Sequence, residues 1–119
     1  MINERPHKNL VTWQKAVELV TEIYRMTEGF PKKEEFGIIA KMRRAAISVP
    51  SNIAEGLTRK TKKDKLHFLN IAQASLSEID TQIEISLRLG YVSQQVYEHA
   101  EVSLIEVEKL LSGLARSIS

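Results

Sequence analysis

Five cations, Arg59, Lys60, Lys62, Lys63 and Lys65, fall within seven consecutive positions that open a helical segment. The N-terminal end of a helix already carries partial positive charge, so each cation placed there costs roughly 0.3 to 1 kcal/mol unless an anion docks beside it. The chemistry this spacing offers is electrostatic capture of phosphate by ammonium, guanidinium and unpaired backbone N–H groups. Broken local rules are enriched at functional positions, which makes the cluster the leading candidate. The competing reading is a solubilising surface.

Arg43 and Arg44 are adjacent, so on a helix they point about 100° apart and serve different purposes. Arg44 aligns with Lys41, Ser48 and Ser51 opposite the apolar seam, where Lys41 and Arg44 are secondary phosphate contacts or simply a solvated face. Arg43 belongs to the row Phe36, Ala40, Arg43, Ile47 and Ala54, a semi-apolar strip in which the arginine is expected to meet a carboxylate such as Glu55 or Glu78 at an interface. That strip, with Phe68, Ile71, Ile85 and Leu89, is more apolar surface than a four-helix monomer readily buries. Self-association would cover it, and a wide core stripe is the alternative. The expected contact residues are Phe36, Ala40, Arg43, Ile47, Pro50, Phe68 and Ile71.

Catalytic chemistry is poorly served. A metal site in a bundle needs carboxylate and histidine three residues apart on facing helices. Glu4 and His7 have that spacing but flank Pro6, Asp64 beside His67 reads better as a capping residue, and His99 follows Gln95 and Val96. No metal or cofactor is expected. With no cysteine, thiol nucleophiles are excluded too, and phosphate-binding glycine loops and nucleophile elbows are lacking. The chain reads as no enzyme.

Four amphipathic helices must position these groups, over about residues 12–28, 31–56, 61–89 and 93–117. The first, capped by Thr12, presents Trp13, Val17, Val20, Tyr24 and Thr27 with Ala16 and Ile23. Pro31 suits the first position of the second, whose seam is Ile39, Met42, Ala46, Val49 and Ile53, and Gly56 is placed to end it in a left-handed cap. Pro50 interrupts that pattern and predicts a kink, with Ser48, Ser51 or Asn52 serving the freed backbone. Thr61 caps the third helix, with Asp64 as the capping-box partner, ahead of Leu69, Ala72, Leu76, Ile79, Ile83 and Leu87. Gly90 ends it, and Ser93 caps a fourth helix with Tyr97, Ala100, Leu104, Val107, Leu111, Leu114 and Ile118 inward.

Short links between long helices favour antiparallel neighbours, so the expected fold is all-α, a single-domain up-down-up-down antiparallel four-helix bundle with a proline-kinked second helix. In that topology Lys15 and Arg116, with Arg5 and Lys8, join the 57–61 loop at a basic end. The opposite end gathers Glu22, Glu28, Glu34, Glu35, Glu98 and Glu101. Net charge is only +2, but residues 31–65 hold ten Lys or Arg against four Asp or Glu, and residues 66–119 hold three against seven. The polar N-terminus and the lack of a long apolar run predict a cytoplasmic protein with no membrane segment.

Phe30, Pro31, Gly37, Arg43, Arg44, Ala45, Ala46, Ser48, Pro50, Asn52, Ile53, Ala54, Glu55, Gly56 and Arg59 form a distinctive series. With Leu10, Trp13, Gln14, Lys15 and Ala16 before it, and Phe68, Leu69, Ala72, Ser75, Glu78, Leu89, Gly90 and Tyr91 after it, the chain resembles bacterial four-helix-bundle proteins encoded in intervening sequences of large-subunit ribosomal RNA genes. The resemblance covers about residues 8–92 and rests chiefly on Arg43 to Gly56. It implies a homopentamer without enzymatic activity whose favoured role is RNA or DNA binding. More distantly it resembles the accessory variability proteins of diversity-generating retroelements, basic pentamers that bind nucleic acid and a reverse transcriptase. Lys41, where glutamine is common, departs from the pattern and adds charge.

The expected function is phosphate-backbone binding by Arg59, Lys60, Lys62, Lys63 and Lys65, with Lys41, Arg44, Lys15 and Arg116 in support. A protein-interaction adaptor, using an apolar and acidic surface to recruit a partner such as a reverse transcriptase, is the alternative. Few aromatic residues lie near the cluster, so stacking on single-stranded bases is not expected.

Overall fold

The computed structural model describes residues 6–119. Helical periodicity becomes four long helices: α1 (Val11–Glu28), α2 (Ile38–Leu57), α3 (Lys62–Arg88) and α4 (Gln94–Ile118). Short 3-10 turns at Pro6–Asn9 and Lys32–Glu34 precede α1 and α2. Each helix packs on its neighbours in a closed cycle, α1 on α2, α2 on α3, α3 on α4 and α4 on α1, with no diagonal contact among the described residues. The short links make successive helices antiparallel, and the up-down-up-down bundle follows. No described helix is long and apolar enough to cross a membrane.

The seams of α2, α3 and α4 fall where periodicity puts them. Met42, Ala46, Val49 and Ile53 meet Leu69, Ala72, Leu76, Ile79 and Ile83, while Ala100, Leu104, Val107 and Leu111 close the other side. The α1 seam keeps Ala16, Ile23 and Thr27 of the expected set but is turned toward Thr12 and Leu19. Thr12, Ala16, Leu19, Ile23 and Thr27 are buried, whereas Trp13, Val17, Val20 and Tyr24 are only half-buried. Thr12 accordingly does not cap α1. Leu10 holds the N-cap position without a side-chain hydrogen bond.

Two further expectations fail at α2. Pro31 precedes the 3-10 turn rather than opening the helix, which begins only after Gly37. Gly56 ends nothing: it lies buried inside α2, and the helix closes one residue later. Its missing side chain lets two backbones approach, since a Cβ there would stand 3.1 Å from the Lys65 carbonyl oxygen and 3.3 Å from the Phe68 Cβ. Gly90, with φ of +78°, is the positive-φ glycine and ends α3 as expected. The Gly90 N–H reaches the Leu87 carbonyl and the Tyr91 N–H the Ser86 carbonyl, a left-handed helix stop.

α2 runs unbroken past Pro50, with Asn52 Nδ2 donating to the Ser48 carbonyl at 2.8 Å and to Ser48 Oγ at 2.9 Å. Ser75 Oγ on α3 donates to the same Ser48 hydroxyl at 2.8 Å. A hydroxyl chain thus ties α2 to α3 beside the proline. A buried donor or acceptor left unpaired would cost about 1 to 3 kcal/mol, so these bonds favour the observed register.

Candidate nucleic-acid interface

The α2–α3 corner is built by three local choices. Thr58 Oγ1 donates to the Glu55 carbonyl at 2.8 Å, finishing α2. Thr61 Oγ1 accepts the Asp64 N–H at 3.1 Å, starting α3. Gly56 then allows the first turns of α3 to lie against the end of α2. Only four residues, Thr58 to Thr61, join the helices.

On this frame Lys60, Lys62 and Lys63 are exposed and Lys65 is half-buried. Among the described residues none of the four enters an ion pair. Arg59 differs: its guanidinium pairs with Glu55 and lies over the Phe68 ring, 4.6 Å from the centroid. That stack shields Phe68 and fixes the arginine, leaving the lysines as the freer cations. Asp64, at the third position of α3, softens the unfavourable dipole but does not neutralise the corner.

The supporting cations are dispersed. Lys15 sits between Glu18 at 3.6 Å and Glu106 at 3.7 Å, so its charge is already matched. Arg116 is exposed on α4, and the Gln73–Ser112 hydrogen bond between α3 and α4 brings it within a few turns of the start of α3. Lys41 and Arg44 are also exposed, but Arg44 stands thirteen residues before Leu57, about 20 Å along α2 at 1.5 Å per residue. They form a separate basic face. Arg5 and Glu4 lie outside the described residues.

Arg43 meets neither Glu55 nor Glu78. Its Nε donates to Thr27 Oγ1 at 2.9 Å, a terminal nitrogen donates to the Tyr24 carbonyl at 3.3 Å, and the guanidinium lies 4.4 Å from the Tyr24 ring centroid. It locks α2 to the last turns of α1, adding to the bonds that the Thr27 hydroxyl already donates to the Ile23 and Tyr24 carbonyls. Pro50 is buried within the chain and offers no outward contact. The rest of the semi-apolar strip is open: Phe36 is 90% exposed, Ile47 44% and Ile71 36%, with Ala40 and Phe68 half-buried.

A second polar region has no counterpart in the sequence reading. Asp80, Thr81, Glu84, Ile85 and Arg88 of α3 face Tyr97, Glu101 and Ile105 of α4 across an open groove of about 740 Å³. Burial, a hydrogen bond with Asp80 and the Asp80 charge push the Glu101 carboxyl up to about 7. Glu84 goes the other way, held low by hydrogen bonds from Arg88 at 2.9 Å and Tyr97 at 2.9 Å. The same bond pushes the Tyr97 hydroxyl up to about 12. Glu108 is raised by burial and by Asp80. Spacing of four along each helix, Asp80 to Glu84 and Tyr97 to Glu101 to Ile105, was the available signal. Which α3 turn meets which α4 turn was not.

The expected acidic end is partly quenched. Glu34 accepts the Tyr91 hydroxyl at 2.7 Å, and Glu22 accepts Ser103 Oγ at 3.0 Å with His99 Nε2 also 3.0 Å away. No group of three or more His, Asp or Glu residues among the described residues is arranged to hold a metal ion.

Among solved structures, the chain superposes on a protein of unknown function from the S23 ribosomal protein family of Bacteroides thetaiotaomicron, with a TM-score of 0.81. The match covers 89% of this chain and 96% of that one at 24% identity, which speaks to the bundle fold alone. No curated protein matches the chain. Residues 8–113 match the family described as 23S rRNA-intervening sequence protein, a span that takes in the Arg43–Gly56 series, the α2–α3 corner and most of α4. The chain belongs to the 23S rRNA-intervening sequence protein family.

Proposed function

We propose that the protein is a non-enzymatic, cytoplasmic homopentamer that binds the phosphate backbone of RNA through the α2–α3 corner. The observation that carries this reading is the set of four lysines, Lys60, Lys62, Lys63 and Lys65, without carboxylate partners among the described residues, at a helix start where cations are disfavoured. Arg59 and Arg116 extend the positive surface, and Lys15 contributes little because two glutamates hold it. Repetition of the corner around a ring multiplies phosphate contacts, which gives affinity without sequence reading. Exposed Phe36, Ile47 and Ile71 support self-association, since assembly removes them from water.

Binding of the purified protein to unrelated RNA and DNA, duplex and single-stranded, across a salt series tests the reading. Affinity for RNA falling steeply with salt, and falling alike for all sequences when Lys60, Lys62 and Lys63 become Gln, is the expected result. Retention of full affinity by that triple variant, or no binding at low salt, overturns it.

A further inference from the structure

The acidic groove between α3 and α4 and the outward face of α2 are opposites in charge, and both carry exposed apolar side chains. The groove offers Asp80 and Glu101, beside a Glu84 already paired with Arg88, between Ile85 and Ile105, which are 42% and 46% exposed. The α2 face offers Arg44 between Ala40 and Ile47 on one helical stripe, with Lys41 beside it and Phe36 before it. Ala40 to Ile47 spans about 10 Å and Asp80 to Arg88 about 12 Å, so the charged and apolar groups of the two stripes repeat over comparable lengths. We infer that the α3–α4 groove receives the outward face of α2 from a second copy of this chain, with Arg44 against Asp80 and Glu101 and with Ile47 and Phe36 covering Ile85 and Ile105.

Two comparisons within the molecule favour that occupant. The α2–α3 corner is more basic but, among the described residues, carries no large exposed apolar side chain to cover the isoleucines, so it matches the carboxylates and not the walls. Arg44 is exposed and unpaired among the described residues, whereas Arg43 is already bound to Thr27 and Tyr24. A planar guanidinium meets two neighbouring carboxyls with parallel hydrogen bonds, an arrangement one ammonium cannot reproduce. The contact joins two different faces, so it is heterologous and propagates into a closed ring or a filament. It rests on the reading of the chain as a self-assembling protein and adds which surfaces meet.

Charge reversal tests it on the full chain, with light-scattering mass as the readout and circular dichroism as the check on folding. Arg44→Glu and Glu101→Arg should each weaken assembly about a hundredfold, because like charges are brought together. The double variant Arg44→Glu with Glu101→Arg should recover the wild-type mass. Ile47→Asp should weaken assembly through the apolar half alone. A monomeric wild-type protein, single reversals of unchanged mass, or a double variant that stays dissociated overturns the inference. So does loss of a co-purifying foreign protein from the Glu101→Arg variant with the mass unaltered. RNA affinity is read separately: an assembly that meets these expectations yet binds no RNA overturns only the phosphate-binding proposal.

Discussion

The α2–α3 corner and the α3–α4 groove carry opposite charge and are made in opposite ways. The corner draws its charge from consecutive residues, Arg59 to Lys65, and the fold only has to leave them exposed. The groove draws its charge from residues about twenty apart, and only antiparallel packing brings Asp80 against Glu101. Like charges repel in both places, with different relief. The lysines remain in water, where screening weakens their repulsion. The carboxyls share a half-buried cleft, where Glu101 holds its proton up to about 7. Charge that stays solvated is available to a diffuse, salt-sensitive ligand, whereas charge in a walled cleft suits a shaped partner.

The largest expected effect breaks the corner alone. Replacing Lys60, Lys62 and Lys63 together with Gln should lower RNA affinity about a hundredfold near 0.1 M salt and flatten the salt slope by about one unit per lost contact, measured by fluorescence anisotropy. Assembly mass should not move. If affinity and mass fall together, corner and groove are not separate surfaces.

The next effect breaks the groove by pH. In the free chain burial, then Asp80, keep Glu101 protonated below about 7, with Glu84, Arg88, Tyr97 and Glu108 as the other charged or titratable neighbours. A guanidinium seated there favours the ionised form, so Glu101 loses its proton on assembly. The assembled state therefore binds fewer protons, and association tightens as pH rises through 7. From pH 6 to 8 the gain should be about tenfold per contact, followed by sedimentation. Tightening on acidification would refute the groove as a guanidinium receptor.

A smaller effect concerns the frame that holds the corner. Gly56→Ala gains helix propensity of about 1 kcal/mol, but its methyl would meet the Lys65 carbonyl and the Phe68 Cβ, neither of which can step aside easily. The expected net loss is about 1 kcal/mol in urea unfolding. A stabilised variant would mean that α2 and α3 can part without cost. The smallest effect sharpens the dipole argument: Lys62→Gln with Lys63→Gln should leave thermal stability unchanged or raise it by a few tenths of a kcal/mol. A clear loss of stability would show that the lysines serve the fold.

Periodicity sufficed for the bundle because three of the four seams are apolar on one side and polar on the other, as with Met42, Ala46, Val49 and Ile53. On α1 it found Ala16, Ile23 and Thr27 but chose Trp13, Val17, Val20 and Tyr24 over Thr12 and Leu19, because apolar residues stand on both sides of the true seam. Thr27 is inward as periodicity expects, but its bond with Arg43, sixteen residues away, is one that no local pattern encodes. Gly56 was misread for a related reason. A glycine near a helix end signals a left-handed stop or a close approach, and only the position of α3 distinguishes them. The run of cations at the corner was legible because it is contiguous, but the pairing of Arg59 with Glu55 and Phe68 was not; the groove was not legible either, because its register is set by packing.

Under the proposed function, the four-residue link between α2 and α3 also bears on which form of nucleic acid the corner would prefer. A link so short, stopped at both ends by threonine hydrogen bonds, sets Lys60 at a defined offset from Lys62, Lys63 and Lys65 on the first turns of α3. Such a surface acts as a ruler. It favours a stiff duplex whose phosphates already stand at regular intervals over a single strand that must first be ordered, and the cost of that ordering then falls on the nucleic acid rather than on the protein.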